Sequence, residues 1–263
     1  MAGGNAMRVT ILGCGSSAGV PEIGCGCPVC TSGDPKNNRT RVSLFVEVNG
    51  INLLIDSSPD LRQQALRHDI KHIDAVLYTH DHADHTNGLD ELRSFNRLSG
   101  DTIPVYGEQH TLDSIQERFP YAFAPMIKKI WFRPSLEAHA LVNEPIHHCQ
   151  IAGVAVTAFH QIHGKINTLG YRIGNFAYST DCNDLPESAY EALKGTEIWV
   201  VDCLRYTESY SHSNFKRTLE WIKRVKPRLA ILTHMAHEFD YHILSKELPN
   251  GVVPGYDGMI LEL

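Results

Sequence analysis

The chain has 263 residues, which is long enough to bury a large core without disulfides. Its net charge of −6 argues against a general nucleic-acid or membrane-surface binder, although a local basic groove is compatible with it. No apolar run reaches the length needed to span a bilayer, and residues 1–8 lack the apolar segment of a signal peptide. These features predict a cytoplasmic globular protein without a membrane partner.

Short strand-like runs recur along the chain, and helical patterns separate several of them. The runs lie at 9–12, 43–48, 51–55, 75–78, 104–106, 154–159, 169–173, 176–179, 198–201, 229–232 and 259–263. The helical patterns lie at 60–68, 88–97, 111–119, 187–194 and 214–225. The turn Val48-Asn49-Gly50 predicts an antiparallel hairpin. This mixture predicts an α/β fold of two sheets covered by helices on their outer faces.

Barrels and sandwiches of this length often fold as one unit, so residues 1–263 are expected to form a single domain. Met7 directly precedes the first strand-like run. Residues 1–6 are therefore expected to be an extension left by cloning. The stretch 99–150 is the least regular part of the sequence, and we expect it to form a cap or substrate-facing loops.

The segment after the run at 75–78 carries four potential metal ligands within six residues: His80, His82, Asp84 and His85. So many ligands cannot all reach one ion. A strand-to-helix turn would aim the first two to one side and the last two to the other, which serves two adjacent ions. The alternative, a polar loop with incidental histidines, has little weight because the pattern H-x-H-x-D-H follows a buried strand.

The H-x-H-x-D-H pattern resembles the metallo-β-lactamase superfamily. The resemblance implies a four-layer αββα sandwich with two divalent ions at one edge, and Zn, Mn or Fe suits the mixed donors. It also implies that Asp181 bridges both ions and that His234 is the last ligand, each directly after a strand-like run. Asp56 follows a strand in the same way, and either orients metal ligands or caps a helix.

The family places one further histidine shortly before a Gly-Tyr strand. His163 stands closer than His160 to Gly170-Tyr171, so we favour His163 and keep His160 as the alternative. The expected sets are His80, His82 and His163 on metal one, Asp84, His85 and His234 on metal two, and Asp181 between them. Asp84 is also expected to be essential for catalysis.

Cysteines crowd together in the segment Gly24 to Cys30. Cys25, Cys27 and Cys30 are expected to hold a structural Zn ion, because three thiolates so close in a cytosolic protein favour a tetrahedral metal site over disulfides. Together with Leu12-Gly13-Cys14-Gly15, the cysteine run resembles the PhnP-type cyclic phosphodiesterases of the carbon–phosphorus lyase pathway. That resemblance implies His237 as the fourth zinc ligand.

The resemblance implies a hydrolase in which a metal-bound hydroxide attacks a small phosphodiester. His212 matches a histidine that this branch carries at a helix start, where it contacts phosphate or acts as general acid. The alternative is a loop histidine beside Ser213 as the helix cap. A tRNA 3′-processing endonuclease, a lactone or thioester hydrolase and a non-hydrolytic protein like that of the pyrroloquinoline quinone pathway remain alternatives. A nucleic-acid partner is disfavoured by the charge, and a homodimer is compatible with the sequence.

Overall fold

Two seven-stranded sheets form the centre of the fold. The computed structural model describes residues 7–125 and 132–263, so the predicted cloning extension at 1–6 lies outside the described residues. The strands are β1 (Met7–Gly13), β2 (Ser43–Val48), β3 (Ile51–Ile55), β4 (Ala75–Leu77), β5 (Ile103–Glu108), β6 (Leu136–Leu141), β7 (Ile146–Ile151), β8 (Val154–His163), β9 (Ile166–Ile173), β10 (Phe176–Ser179), β11 (Ile198–Asp202), β12 (Leu229–Thr233), β13 (Val252–Pro254) and β14 (Ile260–Glu262).

Helices connect many of these strands. They are α1 (Leu61–Arg67), α2 (Ala83–Thr86), α3 (Leu92–Ser99), α4 (Gln109–Arg118), α5 (Glu187–Leu193), α6 (Phe215–Val225) and α7 (Tyr241–Glu247), with short 3-10 turns at Pro35–Asn37, Leu89–Glu91 and Pro120–Ala122. No helix in the described part of the chain is long and apolar enough to cross a membrane.

Each sheet contains a parallel block. The first sheet has the order β14-β1-β2-β3-β4-β5-β6, in which β3 to β6 are parallel. The second has the order β13-β12-β11-β10-β9-β8-β7, in which β10 to β13 are parallel. Parallel neighbouring strands end at the same edge of a sheet. Residues that follow β3 and β4 therefore lie at one edge of the first sheet, and residues that follow β10, β11 and β12 lie at one edge of the second.

The strands of the first sheet bury both faces. Along β2, Leu44 and Val46 pack into the core shared with the second sheet, whereas Phe45 packs under the outer helices. Leu61 of α1 and Leu92 of α3 belong to that outer core. Helices α5 and α6 cover the second sheet. This arrangement confirms the predicted αββα sandwich, and each fully buried aliphatic side chain contributes about 1.5–3 kcal/mol to it.

The predicted strand-like runs all fall on observed strands, and the hairpin at Asn49-Gly50 is confirmed, with positive φ at both residues. Strand β8 continues to His163 instead of ending near residue 159, because it pairs with β9 as far as Ile166. Within the stretch 99–150, where we expected a cap or loops, the described residues form β5, α4, β6 and β7. Strands β6 and β7 are largely exposed between their ends, so they lack the apolar pattern of buried strands.

Candidate active site

Strand ends deliver the predicted ligands to one edge of the sandwich. His80 and His82 lie in the turn after β4, and Asp84 and His85 lie on α2. Asp181 follows β10 and has a φ of 50°, and His234 follows β12 with a φ of 57°. A non-glycine residue in this left-handed region costs on the order of 1–3 kcal/mol, which the surrounding packing has to offset. The backbone turns sharply at both residues, so Asp181 and His234 stay close to the ends of β10 and β12.

Asp181 lies between two groups of histidines. Its Oδ1 atom is 3.1 Å from Nε2 of His85 and 3.4 Å from Nε2 of His234. Its Oδ2 atom is 3.8 Å from Nε2 of His80 and 3.9 Å from Nε2 of His163. Each carboxylate oxygen therefore faces a different group. The structure brings together two potential metal-binding sets, within which the ligand atoms lie no more than 4.8 Å apart: His80, His82, His163 and Asp181; and Asp84, His85, Asp181 and His234.

Several atoms at this centre are buried and point at one another without hydrogen bonds. Among the residues that the structure describes, no partner is found for Nε2 of His80, Nε2 of His85, Oδ2 of Asp84 or either ring nitrogen of His234. Buried polar atoms are nearly always satisfied in folded proteins. Converging nitrogen and carboxylate oxygen donors are what a divalent cation binds. The cluster is therefore consistent with divalent metal binding.

Neighbouring polar groups fix the histidine rings. Asp56 Oδ2 is 2.7 Å from Nδ1 of His85, and Asp56 also accepts hydrogen bonds from the backbone N–H and the hydroxyl of Thr79. The carbonyl oxygen of Ser211 is 2.6 Å from Nδ1 of His163. Such contacts leave Nε2 of each ring free for a metal. Asp56 thus supports the ligand turn and does not cap a helix.

The buried charges shift several pKa values. Burial lowers the pKa of His85, but Asp181, Asp84 and Asp56 outweigh it and raise the pKa well above its ordinary value. Burial and the neighbouring His85 hold the pKa of His80 well below its ordinary value, although Asp181 opposes them. The lowered pKa favours the neutral ring of His80, which is the form of imidazole that binds a metal.

His212 lies beside this centre, at the entry to α6. Its Nδ1 atom is 3.4 Å from Oδ2 of Asp202 and 3.8 Å from Oδ2 of Asp181. Burial lowers the pKa of His212, but these carboxylates outweigh it and raise the pKa to about 9. Asn214, and not Ser213, caps α6, because its side chain accepts from the backbone N–H of Arg217. The Ser213 hydroxyl instead donates to the carbonyl oxygen of Asp202.

The structure adds Asp202 to the site residues predicted from the sequence. It ends β11 and is fully buried, and its Oδ1 atom lies 3.8 Å from Nδ1 of His234. Its Oδ2 atom accepts hydrogen bonds from the backbone N–H groups of Cys182 and Ser213. The signal for Asp202 was the same as that for Asp181, an acidic residue at the end of a buried strand.

His160 and His163 lie on opposite faces of β8, because their positions differ by three and successive side chains of a strand alternate between its faces. The rings of His80 and His163 are 5.5 Å apart, which places His163 in the histidine cluster. His160 instead contacts the buried carboxylate of Glu108, with Nε2 2.7 Å from Oε1. The structure thus brings His163, and not His160, to the centre.

The cysteine cluster forms beside the same edge. Nδ1 of His237 lies 3.1 Å from Sγ of Cys25, 3.5 Å from Sγ of Cys27 and 3.6 Å from Sγ of Cys30. All four ligand atoms lie within 4.8 Å of one another. A hydrogen bond from the backbone N–H of Cys30 lowers the pKa of Cys27 to about 6. Three sulfur atoms and one nitrogen around one point fit a tetrahedral zinc ion.

The chain is similar to proteins of one superfamily. Residues 51–235 match the family described as the beta-lactamase superfamily domain. A solved structure of a new diphosphatase from the PhnP family is 36% identical to this chain and has a TM-score of 0.90. The match covers 98% of this chain and 97% of the diphosphatase. Zn²⁺-bound PqqB from Methylobacterium extorquens shares the fold, with a TM-score of 0.78, 22% identity, and coverage of 97% of this chain and 100% of its own.

A curated relative carries a different name. The octanoyltransferase of Porphyromonas gingivalis (strain ATCC BAA-308 / W83) is 37% identical over 265 residues, which are 96% of this chain but 51% of that protein. This chain therefore spans about half the length of that relative. The superfamily match, the PhnP-family structure and the H-x-H-x-D-H turn confirm the resemblance drawn from the sequence. The chain belongs to the beta-lactamase superfamily of metal-dependent hydrolases and, within it, to the PhnP family.

Proposed function

We propose that the chain is a phosphodiesterase that holds two divalent ions and cleaves a small cyclic or otherwise compact phosphodiester. The observation that carries this proposal is the position of Asp181, whose two oxygen atoms face two different groups of histidines. A carboxylate in that position would bridge two ions. Paired ions are typical of enzymes that displace an oxygen at phosphorus, such as phosphatases and nucleases.

The proposed metal ligands are the two sets around Asp181, with the histidine rings oriented by Asp56, Thr79 and Ser211. Bound divalent ions would activate water as a nucleophile at neutral pH and neutralise charge on phosphate oxygens. His212 would act as the general acid that protonates the leaving group. Because its Nδ1 faces Asp202 and Asp181, Nε2 is the nitrogen left to donate a proton to the departing alkoxide.

A second proposed substrate class is the diphosphate bond, favoured by the similarity to a diphosphatase of the PhnP family at 36% identity. The same ligand sets would serve it, since both reactions displace an oxygen at phosphorus. An acyl thioester is a further arm of the test, because a relative of twice this length is named octanoyltransferase. The likeness to PqqB supports only the fold.

Initial rates on a panel of substrates would test the proposal. Enzyme loaded with Zn²⁺ or Mn²⁺ would be assayed with bis(p-nitrophenyl) phosphate, a 2′,3′-cyclic nucleotide, a nucleoside diphosphate, a lactone and an octanoyl thioester. We expect the highest kcat/KM on a phosphodiester, and loss of that activity in His85→Ala. Preference for the lactone or thioester would refute the proposal. The matched control is His160→Ala, on the same strand as His163 but in contact with Glu108 instead of the cluster, which should keep the activity.

A further inference from the structure

An exposed aromatic ring lies beside the candidate active site. Tyr210 is 69% exposed, although tyrosine usually buries most of its ring. The residue lies in the loop between β11 and α6, two positions before His212. The next residue, Ser211, gives its carbonyl oxygen to His163 at 2.6 Å. The backbone that carries Tyr210 is therefore joined to one proposed metal ligand and continues into the proposed proton donor.

The ring of Tyr210 is held against the turn between β8 and β9. Gly164 forms that turn with a φ of 63°, and a Cβ atom there would lie only 2.8 Å from Cε1 of Tyr210 and 3.3 Å from Cδ1. Only glycine permits the ring to approach the backbone this closely. The Asn183 side chain fixes the turn in addition, because its Oδ1 atom accepts from the N–H of Gly164 at 2.8 Å. One side of the ring thus rests on backbone while most of its surface faces solvent.

The loop is also anchored at both of its ends. The N–H of Leu204 donates to the carbonyl oxygen of Ser213 at 3.0 Å, and the N–H of Phe215 donates to that of Arg205 at 2.9 Å. These bonds close the loop across its base. An aromatic ring on a tethered loop loses little conformational freedom when a flat group stacks on it, which favours binding.

We propose that Tyr210 is a stacking platform that selects phosphodiesters carrying an aromatic or heteroaromatic group on the ester oxygen that is retained. The proposal deepens the proposed phosphodiesterase function and rests on it for the turnover measurements. Stacking on a protein ring accepts many different aromatic groups, because it needs only a free π face. The exposed surface of Tyr210 offers such a face. Removing the ring should weaken binding of the aromatic ester by about 5- to 100-fold, the loss seen when proteins lose a ring that stacks on a nucleic-acid base.

Matched diesters with one leaving group would test the proposal. Phenyl p-nitrophenyl phosphate, thymidine 5′-(p-nitrophenyl phosphate) and methyl p-nitrophenyl phosphate all release nitrophenolate, so the bond that breaks is the same. We expect Tyr210→Ala to raise KM for the phenyl and thymidine esters by the stated factor while changing the methyl ester less than about twofold. Tyr210→Phe should stay near wild type because it keeps the ring.

A control and a binding measurement separate the possible failures. Ile166→Ala removes an exposed apolar side chain from the neighbouring hairpin and should leave the phenyl-to-methyl ratio unchanged. Calorimetry with phenyl phosphate and methyl phosphate measures the same preference without turnover. Absence of hydrolysis by wild type would refute the phosphodiesterase function, whereas stacking would then be judged by the calorimetric preference. Equal losses for all three esters in Tyr210→Ala, or the same ratio change in Ile166→Ala, would overturn the role of Tyr210.

Discussion

Two clusters of potential metal ligands share one short turn after β12 but are built differently. His234 faces a buried group of histidines and carboxylates, and His237 faces three cysteines that are largely local in sequence. The first group draws on the ends of four separate strands and on α2. The second group needs a single loop and one distant histidine.

We propose that one cluster serves chemistry and the other serves stability. A bridging carboxylate and inward-facing nitrogen atoms suit ions that keep positions for water and substrate. A closed shell of three thiolates and one imidazole leaves no such position. The turn that carries His234 and His237 is held by residues outside both clusters, since the N–H of Met235 donates to the carbonyl oxygen of Cys14 and the Arg39 side chain donates to those of Ala236 and Phe239. We therefore expect substitutions in one cluster to act on turnover and substitutions in the other to act on folding.

The largest effect should follow from removing a ligand of the buried cluster. We predict that Asp84→Ala and His85→Ala each abolish phosphodiesterase turnover, because each leaves an ion without its proposed coordination. The loss should exceed the ~10²–10⁴-fold typical of a missing general acid. Circular dichroism should show an intact fold. Near-normal kcat/KM in either variant would refute the assignment.

The same assay distinguishes the two histidines of β8. We predict that His163→Ala is as inactive as His85→Ala, since His163 lies with His80 and His82. His160→Ala should remain within a few-fold of wild type, because its partner is Glu108 and not an active-site ligand. If only His160→Ala were inactive, the metal-binding group would have to be redrawn.

A smaller and more selective effect is expected at His212. We predict that His212→Ala slows esters with an alkoxide leaving group by ~10²–10⁴-fold and nitrophenyl esters much less, because only a basic leaving group needs a proton. Rates for the two classes at saturating metal would check this. Equal losses would favour a contact with phosphate instead of proton donation.

The sequence predicted these parts of the site unequally, for physical reasons. The H-x-H-x-D-H turn and the cysteines are local, so spacing alone reveals them. Asp181 and His234 required the family resemblance, because the topology that places β10 and β12 on either side of β11 is not visible in the sequence. His163 was favoured over His160, but only the length of β8 shows why one of them points inward.

Other features depended on the fold and could not be read locally. Asp202 follows the same strand-then-acid pattern as Asp181, yet its proximity to His212 and His234 depends on the parallel pairing of β11 with β12. Strands β6 and β7 are half exposed and carry polar residues, so they lacked a clear periodic signal. The sequence therefore predicts the layers of the fold and its local motifs better than half-exposed strands and contacts between distant residues.

An intermediate effect should come from the group behind the ligands. Asp56→Asn keeps the shape of the side chain but places an amide against His85, where a carboxylate now lies 2.7 Å from Nδ1. We predict a roughly 10- to 100-fold loss of active-site metal affinity, with turnover recovering at high metal concentration. A metal titration followed by activity would show it. An unchanged titration would mean that Asp56 supports only the backbone of the turn.

The smallest effect on chemistry should come from the cysteine cluster. Cys27→Ser should release one zinc ion and lower the melting temperature by at least ~2–4 °C, the shift that about 1 kcal/mol produces in a domain of this size. Turnover at low temperature should survive when active-site metals are saturated. Thiol titration should show cysteines that react only after chelation. A reversible disulfide without a bound metal would contradict the zinc site.

Elemental analysis of three proteins purified without chelator tests the two-cluster arrangement most directly. We predict about three divalent ions per chain in wild type, of which Cys27→Ser loses the structural zinc while keeping two ions and its turnover. His85→Ala should lose active-site metal and activity while keeping the zinc in the cysteine cluster. A metal-free wild type that is fully active, or a Cys27→Ser variant that loses all its metals together, would contradict two separate centres.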